Sequence, residues 1–293
     1  MTVVDDSVAT RLLRSSARHS YDPEVDLDWS APEVEGMWWM QPERVSLYGT
    51  ELWDSLTREQ QVELSRHEVG SIVHMGWWFE VILMRGLLRE AYRSDPRSAR
   101  THYLLTEVAD ECRHSTMFGR AMTNAGVPAY GPPPRLQRLA DWSSVVLHGP
   151  SLYAGALLVE ETLDRWQRES MHDERVQPLT RMVNRIHVME EARHVTFARD
   201  ELTTSVAGLS RLGLMHHQAV MGQVAYGAMR CLIHPQAYAA VGIDPSEGRR
   251  TAMANPTYQA TLRWMGEKVM PFLQENKMVA RPHLKWWQGS HLL

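Results

Sequence analysis

Asp110-Glu111-Cys112-Arg113-His114 and Glu190-Glu191-Ala192-Arg193-His194 decide how this chain is read. Both follow the pattern acid-Glu-x-Arg-His, and equivalent positions lie 80 residues apart. On a helix, residues three apart share a face, so each Glu–His pair aims a carboxylate and an imidazole in one direction. A single such pair is ordinary and reads as a surface patch in which Glu pairs with Arg and His. The surroundings overturn that reading.

Apolar residues around the first copy recur at three- and four-residue steps. From Thr57 to Arg93 there is no proline, and Ile72, Met75, Phe79, Ile82, Leu83 and Leu87 mark one face of a long helix. Thr57 with Gln60 forms a capping box, and Ser94-Asp95-Pro96 breaks the run. A second helix is expected over 97–125, and a crossing loop over 126–134. Gly149-Pro150 opens a third helix that ends near 170–173. Pro178 sits in the first turn of a fourth, which Gly208 stops. Two more helices are expected over 210–231 and 256–273. No β alternation is found. The fold class is all-α, with a four-helix core of two antiparallel hairpins joined by a crossover and extra C-terminal helices. Residues 1–44 read as an irregular N-terminal arm docked through Trp38-Trp39. Residues 45–275 read as a single helical domain, and 276–293 as an irregular C-terminal tail.

Carboxylate-bridged two-metal bundles take one further Glu from the partner helix of each hairpin. Glu80 precedes Glu111 by 31 residues, and Glu160 precedes Glu191 by 31. Residues equidistant from an antiparallel turn lie at one height. At 1.5 Å of rise per residue, all four carboxylates sit roughly 22–24 Å from their turns. Glu68 and Glu90 break this match, and the spacing favours Glu160 over Glu161. His187 extends the second copy to His187-x-x-x-Glu191-x-x-His194 along one face. The metal-ligand set is therefore Glu80, Glu111, His114, Glu160, His187, Glu191 and His194. Four carboxylates offset two Fe(II) ions, and the mixed oxygen and nitrogen donors suit iron or manganese. Asp110 is expected to accept from His194, and Glu190 from His114, with Arg113 and Arg193 holding those acids.

At these residues the chain resembles the ferritin-like di-iron carboxylate superfamily. The extra His187 narrows the resemblance to the AurF-like arylamine N-oxygenases, typified by p-aminobenzoate N-oxygenase. The resemblance implies a di-iron centre held by the same seven residues, with O2 as co-substrate. It implies oxidation of a small aromatic amine through hydroxylamine towards nitro. The substrate pocket is not matched to the family's. Gly76 and Ala156, one turn before Glu80 and Glu160, leave room either for substrate or for close helix crossing.

Composition limits the alternatives. With 31 basic and 35 acidic residues, the chain carries no basic footprint for nucleic acid. It shows neither a secretory signal at residues 1–6 nor an apolar run long enough for a membrane span. Two cysteines, Cys112 and Cys231, suit a cytoplasmic location and give no thiolate metal site; Cys112 is expected to be buried. No Gly-x-Gly-x-x-Gly fingerprint occurs, so electrons are expected from an external ferredoxin or reductase. A homodimer is expected by analogy. A carbon hydroxylase or desaturase on the same centre is the first rival, and ferroxidase or iron storage the second. Tyr103 lies eleven residues before His114, which disfavours a radical-generating subunit. His67, His74, His216, His217 and His234 read as packing or surface residues.

Overall fold

The structure is a computed structural model that describes residues 7–141 and 146–293. In chain order its α-helices are α1 (Ser7–Ser16), α2 (Pro23–Asp26), α3 (Glu51–Asp54), α4 (Arg58–Arg93), α5 (Ala99–Asn124), α6 (Pro134–Asp141) and α7 (Pro150–Ser170). They continue with α8 (Pro178–Ala207), α9 (Arg211–Cys231), α10 (Gln236–Ala239), α11 (Pro245–Ala254), α12 (Pro256–Gly266), α13 (Val269–Glu275) and α14 (Leu284–Gly289). Among the described residues the extended pairing is one parallel bridge, Trp38 to Val176. No helix among them is long and apolar enough to cross a membrane.

Local chemistry sets the ends of the four core helices. Thr57 Oγ1 accepts from Gln60 N at 3.3 Å while Gln60 Oε1 accepts from Thr57 N at 3.0 Å, closing the capping box of α4. Ser98 Oγ caps α5 through Thr101 N. Pro150 and Pro178 occupy first-turn positions of α7 and α8, where the missing N–H costs nothing. Gly149 precedes α7 at φ +47, a conformation glycine tolerates. Helices α4 with α5 and α7 with α8 pack as hairpins, which meet through α5 against α8 and α4 against α7. At Gly86 the approach of α7 is so close that a methyl group would lie 2.4 Å from Leu152 Cδ1. The contact is sealed by apolar side chains such as Leu83, Leu157, Leu158 and Trp166; burying one such side chain contributes about 1.5–3 kcal/mol.

The structure corrects several expectations outside the core. The stretch 1–44 is not irregular throughout: α1 buries Ala9 and Leu12 against α5 and α8. Its apolar positions recur at helical spacing, which suffices once a neighbouring bundle face is available. Trp38 and Trp39 are buried as expected, and Trp38 is clamped between Arg175 O and Gln177 N. The stretch 276–293 likewise contains α14, which buries Trp287 and packs on α9. The crossover carries α6, although part of it lies outside the described residues. The single helix expected over 256–273 divides into α12 and α13. Helix α11 was not anticipated; Asp244 caps it and Pro245 follows at the first position. Cys112 is exposed, because one residue past Glu111 turns it to the solvent side of α5.

Candidate metal centre

All seven expected donors are buried in the middle of the four-helix core. Their donor atoms converge in three overlapping groups, each spanning no more than 4.8 Å: Glu111, His114, Glu191 and His194; Glu80, His114 and His187; and Glu160, His187 and Glu191. Glu80 comes from α4, Glu111 and His114 from α5, Glu160 from α7, and the remaining three from α8. The alternatives point elsewhere. Glu161 pairs with Arg199 at 2.6 Å, Glu90 faces Arg100, and Glu68 binds Ser46.

Hydrogen bonds fix which imidazole nitrogen faces inward. His114 Nε2 lies 2.9 Å from Glu190 Oε2, and its Nδ1 lies 3.1 Å from Glu111 Oε2 and 3.2 Å from Glu191 Oε1. His194 Nε2 lies 3.3 Å from Asp110 Oδ2, and its Nδ1 lies 2.9 Å from Glu191 Oε1. Each outer carboxylate therefore takes one ring N–H and leaves the other nitrogen to the centre. His187 uses the opposite edge. Its Nδ1 donates to Gln167 Oε1 at 2.8 Å, which leaves Nε2 3.2 Å from Glu80 Oε1. Ser115 Oγ donates to the other Glu80 oxygen at 3.1 Å, and the Phe118 ring packs 4.9 Å from the His187 ring.

Arg113 and Arg193 serve the outer acids. Arg113 binds Asp110, and Arg193 lies 3.3 Å from Asp110 and 3.4 Å from Glu190. The arm adds Tyr21 N, which donates to Glu190 Oε1 at 3.1 Å, and Ser20 Oγ, which accepts from Arg113. Two arginines thus stand beside two outer acids. The four inner carboxylates have no such cation, and Glu191 Oε2 has no hydrogen-bond partner. Four buried carboxylates are tolerable only when something neutralises them. Two divalent cations supply the matching charge, and the oxygen and nitrogen donor set suits iron or manganese. The residues fit the group.

The ionisation pattern shows what the site does without metal. Burial, aided by Glu111 and Glu191, pushes Glu80 and Glu160 well above the usual carboxylate range. Burial also acts against charge on Glu111 and Glu191, but the neighbouring imidazoles outweigh it and hold both below the usual range. Burial opposes charge on His114 and His194 too; their carboxylate partners outweigh it and raise both. His187 is pushed down to about 4 by burial, so it stays a neutral donor.

Sequence reasoning missed Gln167, Ser115 and Glu107. Gln167 lies seven residues after Glu160, on the same face of α7, which was the available signal. Glu107 sits one turn before Glu111, is buried, and leaves Oε2 without a partner; burial near Glu111 and Glu191 pushes it up to about 8. The space beside Gly76 has room for little more than a methyl, which would stand in ordinary contact with Phe118 at 3.6 Å and Leu163 at 3.9 Å. A cleft of about 20 Å³, room for one water, opens beside Asn184, one turn before His187. A larger cavity of about 390 Å³ lies on the outer face of α4 among His74, Trp78, Arg85 and Tyr130. The linings of both stop short of the seven donors.

Two long hairpins around a buried set of carboxylates and imidazoles define a protein of the ferritin-like di-iron carboxylate superfamily. The family model described as P-aminobenzoate N-oxygenase AurF matches residues 4–277, and the chain belongs to that family. It is also similar to two proteins of Mycobacterium tuberculosis and one of Mycobacterium bovis, each bearing only the name "uncharacterized protein". Each is 30% identical over 224 residues, a stretch that covers 72% of this chain and 66% of the relative.

Proposed function

We propose that this chain is an oxygenase that binds two iron ions through Glu80, Glu111, His114, Glu160, His187, Glu191 and His194, and oxidises a small aromatic amine at nitrogen. One observation carries the reading. Four buried carboxylates and three imidazoles converge with no arginine or lysine among them, while the acids just outside them each have an arginine. Bound iron supplies the redox chemistry that activates O2. The chain's own groups orient and shield. Glu190, Asp110 and Gln167 hold the three imidazoles with one nitrogen inward. The Phe118 ring packs against the His187 ring and shields it.

The first oxidation balances as R–NH2 + O2 + 2 e⁻ + 2 H⁺ giving R–NHOH + H2O. The two electrons come from a ferredoxin or reductase, and repetition leads towards the nitro compound. The working form is a homodimer, and manganese is a competing metal. The test loads apo protein with Fe(II) without oxygen, counts iron, admits O2 with a reductant, and analyses products of ¹⁸O2 with a panel of arylamines by mass. Two irons per chain and ¹⁸O on nitrogen support the proposal. Zero or one iron overturns the centre; ¹⁸O on carbon overturns the amine chemistry and leaves the centre standing.

A further inference from the structure

Among the described residues outside the carboxylate centre, a cluster of three histidines has no task in the proposed chemistry. His148, just before α7, and His216 with His217 on α9 stack into a triangle. Their ring centroids are 5.2 Å apart for His148–His217, 5.3 Å for His216–His217 and 6.1 Å for His148–His216. Three imidazoles on one tetrahedral ion, with metal–nitrogen bonds of about 2.0–2.1 Å, place their centroids roughly 5 Å apart. Two sides of the triangle already have that length, and the third is about 1 Å longer.

A hydrogen bond prepares one of the rings. Ser151 Oγ has a single proton, and its acceptors are His148 O at 3.1 Å and Val146 O at 3.4 Å. With that proton on His148 O, the hydroxyl can accept an N–H from His217 Nδ1, which lies 3.0 Å away. In that tautomer buried His217 keeps Nε2 as a lone-pair donor, which is how ligand imidazoles are normally held. His148 is half-buried and His216 exposed. The ring torsion of histidine lies in a broad well, so both can turn a nitrogen towards the centre at little cost.

We infer that His148, His216 and His217 form a second metal site, which takes one imidazole-preferring late transition ion such as Zn²⁺. The donors are all nitrogen, whereas the core centre is rich in carboxylate oxygen, so the two sites sort metals by chemistry. Arg89, Arg93 and Glu90 of α4 also face His148. Burial first, and then Arg89, His216 and Arg93, hold His148 below the usual histidine range, while Glu90 offsets part of that; the two arginines also weaken the hold on a dication. The site lies roughly 14 Å from Glu160 along α7, given the nine-residue step from Ser151 to Glu160. An ion there ties the start of α7, which carries Glu160, to α9. Its work is structural: it fixes the end of the crossover.

The test uses the full chain with its core centre first filled with Mn²⁺. One equivalent of Zn²⁺ is added, the protein is desalted, and both metals are counted. The wild type is expected to keep its manganese and gain one zinc, with a rise of a few degrees in thermal midpoint. H148A/H216A, which leaves buried His217 in place, is expected to keep its manganese, gain no zinc and show no rise. H216A alone is expected to bind zinc more weakly than the wild type with its manganese unchanged, which guards against misfolding of the double variant. No zinc on the wild type, equal zinc on wild type and H148A/H216A, or zinc gained only with loss of manganese each overturns the inference.

Discussion

The two hairpins present the same chemistry at the same spacing, yet they are not equivalent. Helices α4 and α5 give Glu80, Glu111 and His114; α7 and α8 repeat this 80 residues later as Glu160, Glu191 and His194. The outer acids and arginines repeat as well. The difference lies one turn earlier. Where α8 places His187, a neutral donor held by Gln167, α5 places Glu107, a carboxylate with an unpartnered oxygen. Under the proposed two-iron centre, a bundle with approximate two-fold symmetry presents two unlike donor sets, one with an additional imidazole. The hairpins also differ in length: α4 has 36 residues and α7 has 21. The surplus of α4 runs past the centre and carries Glu68 into a separate buried network.

The largest effect is expected at the residue both halves share. Glu191 belongs to two of the three donor groups and approaches all three imidazoles. Glu191→Ala should leave less than one iron per chain after anaerobic loading; two irons would show that the hairpins bind independently of it. Next comes acidity. Without metal, Glu80 and Glu160 are shifted towards the protonated form and His114 and His194 towards the charged form, so each hairpin carries two groups whose protons metal must displace. Affinity should therefore fall as pH falls, with up to four protons released per pair of ions. Calorimetry in buffers of different ionisation enthalpy counts them, and release of fewer than two contradicts the pattern.

The asymmetry gives a sharper contrast. His187→Leu should cost one of the two irons, because a neutral donor is removed from two groups. Its counterpart Glu107→Gln should retain both and change stability by no more than about 1 kcal/mol, since Glu107 is already held largely neutral by burial at neutral pH. Equal iron loss in both would mean that the halves are functionally alike. Gln167→Leu removes only the partner of His187 and should weaken metal binding about 10- to 100-fold, read by competition with a chromophoric chelator.

The convergence of the seven side chains was legible because two regularities, the helix period and equal distance from a turn, fix direction and height without any knowledge of packing. The pairing of Asp110 with His194 and of Glu190 with His114 followed from the same symmetry. Glu107 was legible in principle, as the 80-residue counterpart of His187, but a carboxylate without a partner has no local signature. Gln167, Ser115 and the Tyr21 amide on Glu190 depend on which side chains meet across helices, and spacing within one helix does not state that. His67 and His74 were read only as packing or surface residues. They hold the crossover, through the Tyr130 hydroxyl and the Gly131 amide. Helix α1 was missed because ten residues are marginal alone and gain their helix from the bundle.

The smallest effect tests the surplus length of α4. Glu68 is fully buried, accepts from Ser46 N at 2.9 Å and meets Ser46 Oγ at 2.5 Å, which in turn contacts the Tyr238 hydroxyl at 3.0 Å. Burial pushes Glu68 up to about 7 from an ordinary value of 4.5, and the two Ser46 bonds only partly offset it. The native state thus holds a proton that the unfolded chain releases between these values. The stability this adds is present below about pH 4.5 and lost as pH rises through 7, amounting to about 3 kcal/mol at one pKa unit per 1.36 kcal/mol. Glu68→Gln stays neutral throughout. Relative to the wild type, it should gain about 3 kcal/mol between pH 4.5 and pH 8, read from denaturant midpoints of the apo protein. The core centre titrates in both proteins and cancels in the difference. A variant-minus-wild-type difference that does not change with pH would mean that Glu68 is ionised in its pocket. Ser46, α4 and helix α10 would then be joined through a charge instead of a neutral contact.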